Sequence, residues 1–270
     1  MNEAYLKKLF CLDGKKAVVT GASSGIGRAI SFSLANFGAE VYLLGRSLHG
    51  LEKTHSQITA AGGSAKTFVV DISNQKEVDA FFERYEKENA GQLDIFVANA
   101  GINIRSEAID AKIEDVDALI NTNYKGTLYG LIHAGNMMKE QRSGNIVVIT
   151  SVNGLSPLIN QAVYSSIKFA LEGLTRCFAG SLAEYGVRVN SCAPGCVHSA
   201  GNEHIFSIKE FRDAKEASIP LGKIGDPEDI GDVIACMVSD AFRFMTGSTI
   251  LVDGGELMRP KQKQQVSCGL

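Results

Sequence analysis

The stretch from Lys16 to Phe37 constrains the fold of this chain more than any other. Lys16-Ala17-Val18-Val19-Thr20 is a short apolar run, and Gly21-Ala22-Ser23-Ser24-Gly25-Ile26-Gly27 follows it without a linker. Beyond Arg28, the residues Ile30, Leu34 and Phe37 recur at helical spacing. A strand that enters a helix through glycines is the context a phosphate-binding turn requires. The glycines permit a tight turn and close backbone approach, and the helix N-terminus offers free N–H groups to a pyrophosphate. The spacing is Gly-x-x-x-Gly-x-Gly, which also occurs in ordinary strand-to-helix turns.

The same alternation continues downstream. Glu40-Val41-Tyr42-Leu43-Leu44, Lys66-Thr67-Phe68-Val69-Val70 and Leu93-Asp94-Ile95-Phe96-Val97 read as strands. So do Ile146-Val147-Val148-Ile149-Thr150, Arg188-Val189-Asn190-Ser191-Cys192-Ala193 and Thr249-Ile250-Leu251-Val252. Helical patterns separate them, over about residues 51–61, 75–89, 109–138 and 161–185, with a last helix opened by Asp226-Pro227-Glu228-Asp229. Alternating strands and helices predict an α/β fold: a single-domain, Rossmann-type, doubly wound parallel sheet with helices on both faces. The expected domain is the whole chain, residues 1–270, with its core at about 14–255. A polar, irregular stretch at about 197–220 reads as a substrate flap, and residues 260–270 as a polar tail.

Ligands of such sheets lie at the carboxyl ends of the strands. Arg46 ends the second strand, where an acid would bind a ribose 2′-hydroxyl and an arginine a 2′-phosphate. The expected cofactor is therefore NADP(H) in preference to NAD(H). Asp71 and Ile72 end the third strand; the aspartate suits an N-cap or an adenine contact. Asn99-Ala100-Gly101 ends the fourth with residues small enough for a cofactor to lie across the sheet edge. Pro194-Gly195 ends the sixth, and Val197 and Ser199 follow in a loop.

Ser151 emerges at the end of the fifth strand, and Tyr164 and Lys168 follow, four positions apart on one helix. That spacing puts the phenol and the ammonium on one face. A phenol ordinarily titrates near pH ~10; a cationic neighbour favours its phenolate and makes it a usable acid–base group. Asn123 lies in mid-helix, where an asparagine competes with the backbone and so implies a special role. Cys196 and His198 admit a nucleophile–base reading, but no acid in the sequence is placed to orient the histidine.

Composition excludes other classes. A net charge of −3 provides no electrostatic footprint for nucleic acid. No apolar run approaches the ~18 residues of a membrane span, and the first 14 residues mix charges among apolar side chains unlike a secretory signal. Six cysteines lie without a Cys-x-x-Cys pair, which fits reduced thiols in a cytoplasmic protein and no metal site.

Taken together, these motifs resemble the short-chain dehydrogenase/reductase family from about residue 14 to 255. The resemblance assigns Gly21, Ser23, Ser24, Gly25, Ile26 and Gly27 to the cofactor loop, and Asn99, Ala100 and Gly101 to the turn that stabilises the sheet. Asn123, Ser151, Tyr164 and Lys168 match the family's catalytic asparagine, serine, tyrosine and lysine. It implies that Ser151 polarises the substrate oxygen, Tyr164 transfers its proton, and Lys168 lowers the pKa of the phenol and bonds the nicotinamide ribose. Asn123 anchors a water-linked proton path. Pro194, Gly195, Val197 and Ser199 match the segment over the nicotinamide, with Ser199 where threonine is usual.

The implied activity is ketone–secondary alcohol interconversion in a homo-oligomer, tetramer or dimer, packed through the helix of Tyr164. Arg105, Asn153, Gln161 and His198 are the candidate substrate contacts, and their polarity favours a sugar, polyol or sugar acid, as in gluconate 5-dehydrogenases. The alternatives are a 3-oxoacyl-thioester reductase, a hydroxysteroid-type dehydrogenase, or a non-catalytic NADP-binding scaffold.

Overall fold

The computed structural model describes residues 2–199 and 202–258. Seven strands form one sheet: β1 (Lys16–Thr20), β2 (Glu40–Gly45), β3 (Ser64–Val69), β4 (Ile95–Ala98), β5 (Gly144–Ile149), β6 (Val187–Pro194) and β7 (Thr249–Val252). Every pair is parallel, and the order is β3-β2-β1-β4-β5-β6-β7. All seven lie where the apolar runs predict them, with ends moved by a residue or two. The chain reverses direction across the sheet between β1 and β4, which makes their carboxyl ends the switch point.

Alternation along each strand sorts side chains onto two faces. Ala17 and Val19, Val41 and Leu43, and Ile95 and Val97 point one way, and meet Ile30 and Leu34 of α2 (Gly25–Asn36). The same layer holds Leu51 and Ile58 of α3 (Leu48–Ala60), and Ile230 and Ile234 of α10 (Pro227–Met237). Val18, Tyr42, Leu44, Phe96 and Val148 point the other way. They meet α4 (Gln75–Glu88), α6 (Gly126–Gln141) and α7 (Ala162–Leu182), which contribute Phe81, Phe82, Tyr85, Leu131, Met138, Ile167 and Leu171. Two apolar layers thus clamp one sheet, and because both its faces are covered its strands read as near-continuous apolar runs.

Two local expectations are corrected. The single helix over residues 109–138 is instead α5 (Ile113–Leu119), a π-helical turn (Ile120–Lys125) and α6. The π turn accommodates Asn123, whose side chain serves a neighbouring loop. The flap is not irregular: α8 (Glu203–Phe206) and α9 (Lys209–Ser218) lie within it, and Phe206, Ile219 and Ile224 are buried together against Cys196 and Ile205. At the N-terminus, ahead of the expected core, the chain forms α1 (Glu3–Phe10), capped by Asn2 Oδ1 accepting from the Tyr5 N–H at 3.2 Å. The expected polar tail at 260–270 lies outside the described residues. None of the described helices is long and apolar enough to cross a membrane.

Candidate active site

Because every strand is parallel, Gly21, Arg46, Asp71, Asn99, Ser151 and Pro194 all emerge on one rim of the sheet. The switch point is closed by a short network. Thr20 Oγ1 accepts from the Asn99 and Ala100 N–H groups at 3.0 Å each, and Asn99 Nδ2 donates to Thr20 O at 2.9 Å. These bonds draw β1 and β4 so close that a Cβ on Gly21 would lie 2.8 Å from the Cα of Ala100. Gly21 also takes φ +69°, which favours glycine.

Beyond it, Ser24 is the N-cap of α2 and makes no side-chain capping bond. The first-turn N–H groups that an Asx or Ser cap would satisfy are thus left for another acceptor. A Cβ on Gly25 would meet nothing nearer than the Ser199 side chain at 3.9 Å, so space lies open in front of the helix end. Open space, uncapped N–H groups and the positive end of a helix fit a pyrophosphate. The nicotinamide dinucleotide implied by the fold therefore fits the residues present. Ile26 packs against the layer of α2, while Ser23 O accepts from an Arg28 guanidinium N–H at 2.5 Å, which ties the loop to its own helix.

Arg46 projects from the end of β2 with its side chain 65% exposed and Nη1 4.0 Å from Asp71 Oδ2. The N-cap reading of Asp71 is corrected: Asn74 caps α4, and Asp71 Oδ1 accepts from the Ser73 N–H and hydroxyl at 2.9 and 2.7 Å. Ile72 is buried under the start of α6, where a Cβ on Gly126 would clash with it at 2.6 Å.

The candidate quartet is brought together. Ser151 Oγ accepts from the Asn153 N–H at 3.1 Å, and the Ser151 hydroxyl acts on the Tyr164 phenol, favouring its ionised form. Lys168, 5% exposed, donates from Nζ to Ile149 O at 2.8 Å, and its Nζ lies 5.6 Å from the centre of the Tyr164 ring. Asn123, 1% exposed, clips the chain after β4: Oδ1 accepts from the Ile102 N–H at 2.8 Å, and Nδ2 donates to Ile102 O at 2.8 Å. Both ends of its amide are occupied by the Ile102 backbone.

The expectation that Lys168 lowers the Tyr164 pKa is corrected. Burial holds the phenol above its ordinary value, and only the Ser151 hydroxyl acts downward. Lys168 is itself brought down to about 8 by burial, against the upward pull of Glu172. Exclusion from water disfavours the charged form of each group, and Lys168 Nζ is turned toward the Ile149 carbonyl.

The candidate substrate contacts divide. Asn153 and Gln161 are buried and spend their amides on each other, Nδ2 to Oε1 at 2.5 Å. This bond braces the turn after Ser151 against the start of α7. His198 packs edge-on against Phe206 at 6.1 Å, and its N–H donates to Gly225 O at 2.9 Å. Arg105 is exposed, and its field reaches Cys196 across the rim. The Cys196 thiol is pushed up by burial, which removes the nucleophile reading.

Pro194 pairs with Val252, and the Gly195 N–H donates to Val252 O at 2.9 Å. Val197 bridges Gly225, and the Ser199 N–H donates to Asn202 Oδ1 at 2.8 Å, which holds the loop beside Gly25. Two residues were missed in the sequence: Glu256, which accepts from the Cys196 N–H at 2.7 Å and pairs with Lys215, and Glu172. Glu172 lies four residues after Lys168, a spacing that was available to read; nothing in the sequence links Glu256 to Cys196.

Comparison with known proteins agrees with this geometry. A family model described as enoyl-(acyl carrier protein) reductase matches residues 21–256. The 3β-hydroxysteroid dehydrogenase 1 of Eggerthella lenta is 35% identical over 251 residues, which is 92% of this chain and 96% of that protein. The 3-oxoacyl-[acyl-carrier-protein] reductase of Pseudomonas aeruginosa is 35% identical over 248 residues, 92% of this chain and 99% of that one. Among solved structures, a provisionally assigned NAD(P)-dependent gluconate 5-dehydrogenase from Beutenbergia cavernae, with NADP bound at low occupancy, superposes with a TM-score of 0.87. It is 34% identical, and the match covers 92% of this chain and 98% of that one. With the fold, the glycine turn and the Ser-Tyr-Lys arrangement in place, the chain belongs to the short-chain dehydrogenase/reductase family and is one of its nicotinamide-dependent oxidoreductases.

Proposed function

We propose that this enzyme interconverts a secondary alcohol and a ketone with NADP(H), through Ser151, Tyr164, Lys168 and Asn123. The observation that carries the reading is the grouping of Tyr164 with the buried Lys168, whose Nζ lies 5.6 Å from the centre of the phenol ring, beside Ser151 at the end of β5. Gly21 to Gly27 would hold the pyrophosphate, and Arg46 the 2′-phosphate by charge-assisted hydrogen bonds. Asp71 and Ile72 would flank the adenine, and Pro194, Gly195, Val197 and Ser199 the nicotinamide. The bound cofactor supplies the hydride.

The protein's own part is the proton. Ser151 Oγ orients the substrate oxygen, and the Tyr164 hydroxyl gives its proton to a ketone or takes one from an alcohol. A phenol held above its ordinary pKa is protonated at neutral pH, the form that gives a proton to a ketone oxygen. Lys168 offers its ammonium to the ribose, and Asn123 holds the loop after β4 that borders the site.

Among the described residues, Arg105 is an exposed cation on this rim suited to a substrate carboxylate, whereas Lys215 is paired with Glu256. A sugar acid or related hydroxylated molecule is therefore the first substrate class. A second reading, a 3-oxoacyl thioester or a steroid ketone, draws on Leu155, Leu158 and Ile159. These are 38%, 49% and 84% exposed in the segment between Ser151 and Tyr164, where apolar side chains suit an acyl chain or ring system.

The deciding experiment follows reduced-nicotinamide absorbance with keto-sugar acids, 3-oxoacyl thioesters and steroid ketones, each with NADPH and with NADH. Turnover of keto-sugar acids with NADPH at a higher kcat/KM than any other pairing is expected. Turnover confined to thioesters or steroids selects the second reading. Equal kcat/KM with both cofactors removes the role given to Arg46.

A further inference from the structure

One turn beyond Lys168, α7 buries a second charge. Glu172 is 3% exposed, and the i,i+4 spacing puts its carboxylate on the face that carries the Lys168 ammonium. It is not a member of the quartet described above. Its Oε2 accepts from Ser191 Oγ of β6 at 2.8 Å and from Thr249 Oγ1 of β7 at 2.5 Å. Its Oε1, equally buried, has no hydrogen-bond partner. Two hydroxyl donors aimed at one oxygen are what an ionised carboxylate requires and an apolar core does not provide.

On the other side, Lys168 Nζ donates to a single carbonyl, Ile149 O. A buried ammonium with one hydrogen bond loses its proton readily unless a fixed negative charge stands near it. Among the described residues, Glu172 is the one charged group whose field acts on Lys168, and it favours the protonated form. The same field helps push the buried Cys192 thiol of β6 up to about 12, so the carboxylate is felt by the strand as well. The other titratable neighbour of the pair is Tyr164. The turn after Ser151 and the residues of β7 carry no ionisable side chain, and neither Tyr124 nor Lys125 of the π turn acts on Lys168.

We propose that Glu172 is a positioning residue for proton transfer: a counter-charge, fixed to β6 and β7 by Ser191 and Thr249, that keeps Lys168 an ammonium at working pH. It touches neither substrate nor cofactor and acts only through Lys168. The proposal rests on Lys168 bonding the cofactor. The sheet residues enter the argument because a carboxylate free to swing would solvate itself and lose its hold on Lys168. Anchored by two strands, it keeps a constant distance from the ammonium through the catalytic cycle.

The test is NADPH affinity, by fluorescence titration from about pH 6 to 10, for the wild type, Glu172→Gln and Glu172→Asp, with thermal melts alongside. The amide of Glu172→Gln can still accept from Ser191 and Thr249, so fold and low-pH affinity should be retained. The expected result is an alkaline loss of affinity whose midpoint falls by about one pH unit in Glu172→Gln, following removal of one charge near a buried site. Glu172→Asp, which keeps the charge, should fall between the two. The alkaline limb of kcat/KM should move with it.

An unmoved midpoint in both variants, with a wild type that does titrate, overturns the role of Glu172 and leaves it as a tie between helix and sheet. A wild type without an alkaline limb, together with normal NADPH binding by Lys168→Ala, overturns the cofactor role of Lys168 itself, and the proposal falls with it.

Discussion

A methyl group at position 27 would lie 2.2 Å from the Gly21 carbonyl oxygen and 2.4 Å from Asn99 Nδ2. The nearer of these atoms is backbone, so the neighbour cannot rotate away. Gly27 is thus the place where α2 presses against the turn at the switch point, while Gly25 faces the open side. Overpacking at such a contact costs about 1–3 kcal/mol, and here it also pries the helix end from the loop. Gly27→Ala should lower the melting temperature and weaken NADPH binding together. A variant that melts as the wild type does would show that the turn relaxes freely and that the contact carries no weight.

At the scale of elements, the strands and the glycine turn could be read from the sequence because each rests on a local pattern, namely apolar runs and turn residues. Asn123 also stood out, since an asparagine in mid-helix needs a reason. The reason itself was hidden, because its partner Ile102 is 21 positions away and the π turn that carries it leaves no local signature. The helices of the flap were missed because α9 is exposed and highly charged, and is held by the few apolar contacts around Phe206 and Ile219. The Asn153–Gln161 bond was hidden for a related reason: polarity in a sequence does not say whether an amide faces water or another amide.

Asn123→Ala leaves the Ile102 N–H and carbonyl without their partners inside the protein. A cost of about 1–3 kcal/mol is expected, with a larger loss of turnover than of NADPH affinity. Thermal melts and steady-state rates measure the two effects. Unchanged stability would mean that the clip to Ile102 is replaced at no cost, and would remove Asn123 from the support of the site.

For the whole molecule, the family resemblance implies assembly through α7, and the outer face of that helix is suited to it. Ala170, Gly173, Cys177 and Gly180 are exposed and small, beside Phe169 at 45% exposure, and a Cβ on Gly173 or Gly180 would meet nothing within 4 Å. A second helix can approach such a face closely. The buried face of the same helix carries Lys168 and Glu172, so assembly would hold the catalytic helix from outside while β6 and β7 hold it from within. Light scattering should find an oligomer for the wild type and a smaller species for Gly173→Arg, with reduced activity. An unchanged mass for Gly173→Arg would place the interface elsewhere.

The central claim is that the Tyr164 hydroxyl moves the proton, and Tyr164→Phe tests it most directly, because it removes that hydroxyl and keeps the ring. The measurement pairs NADPH titration with steady-state turnover on whichever substrate class the panel selects. Affinity within a few-fold of the wild type is predicted, with turnover lower by about 10²–10⁴-fold, the usual worth of general acid–base help. Near-wild-type turnover by Tyr164→Phe would contradict the account, whatever the substrate.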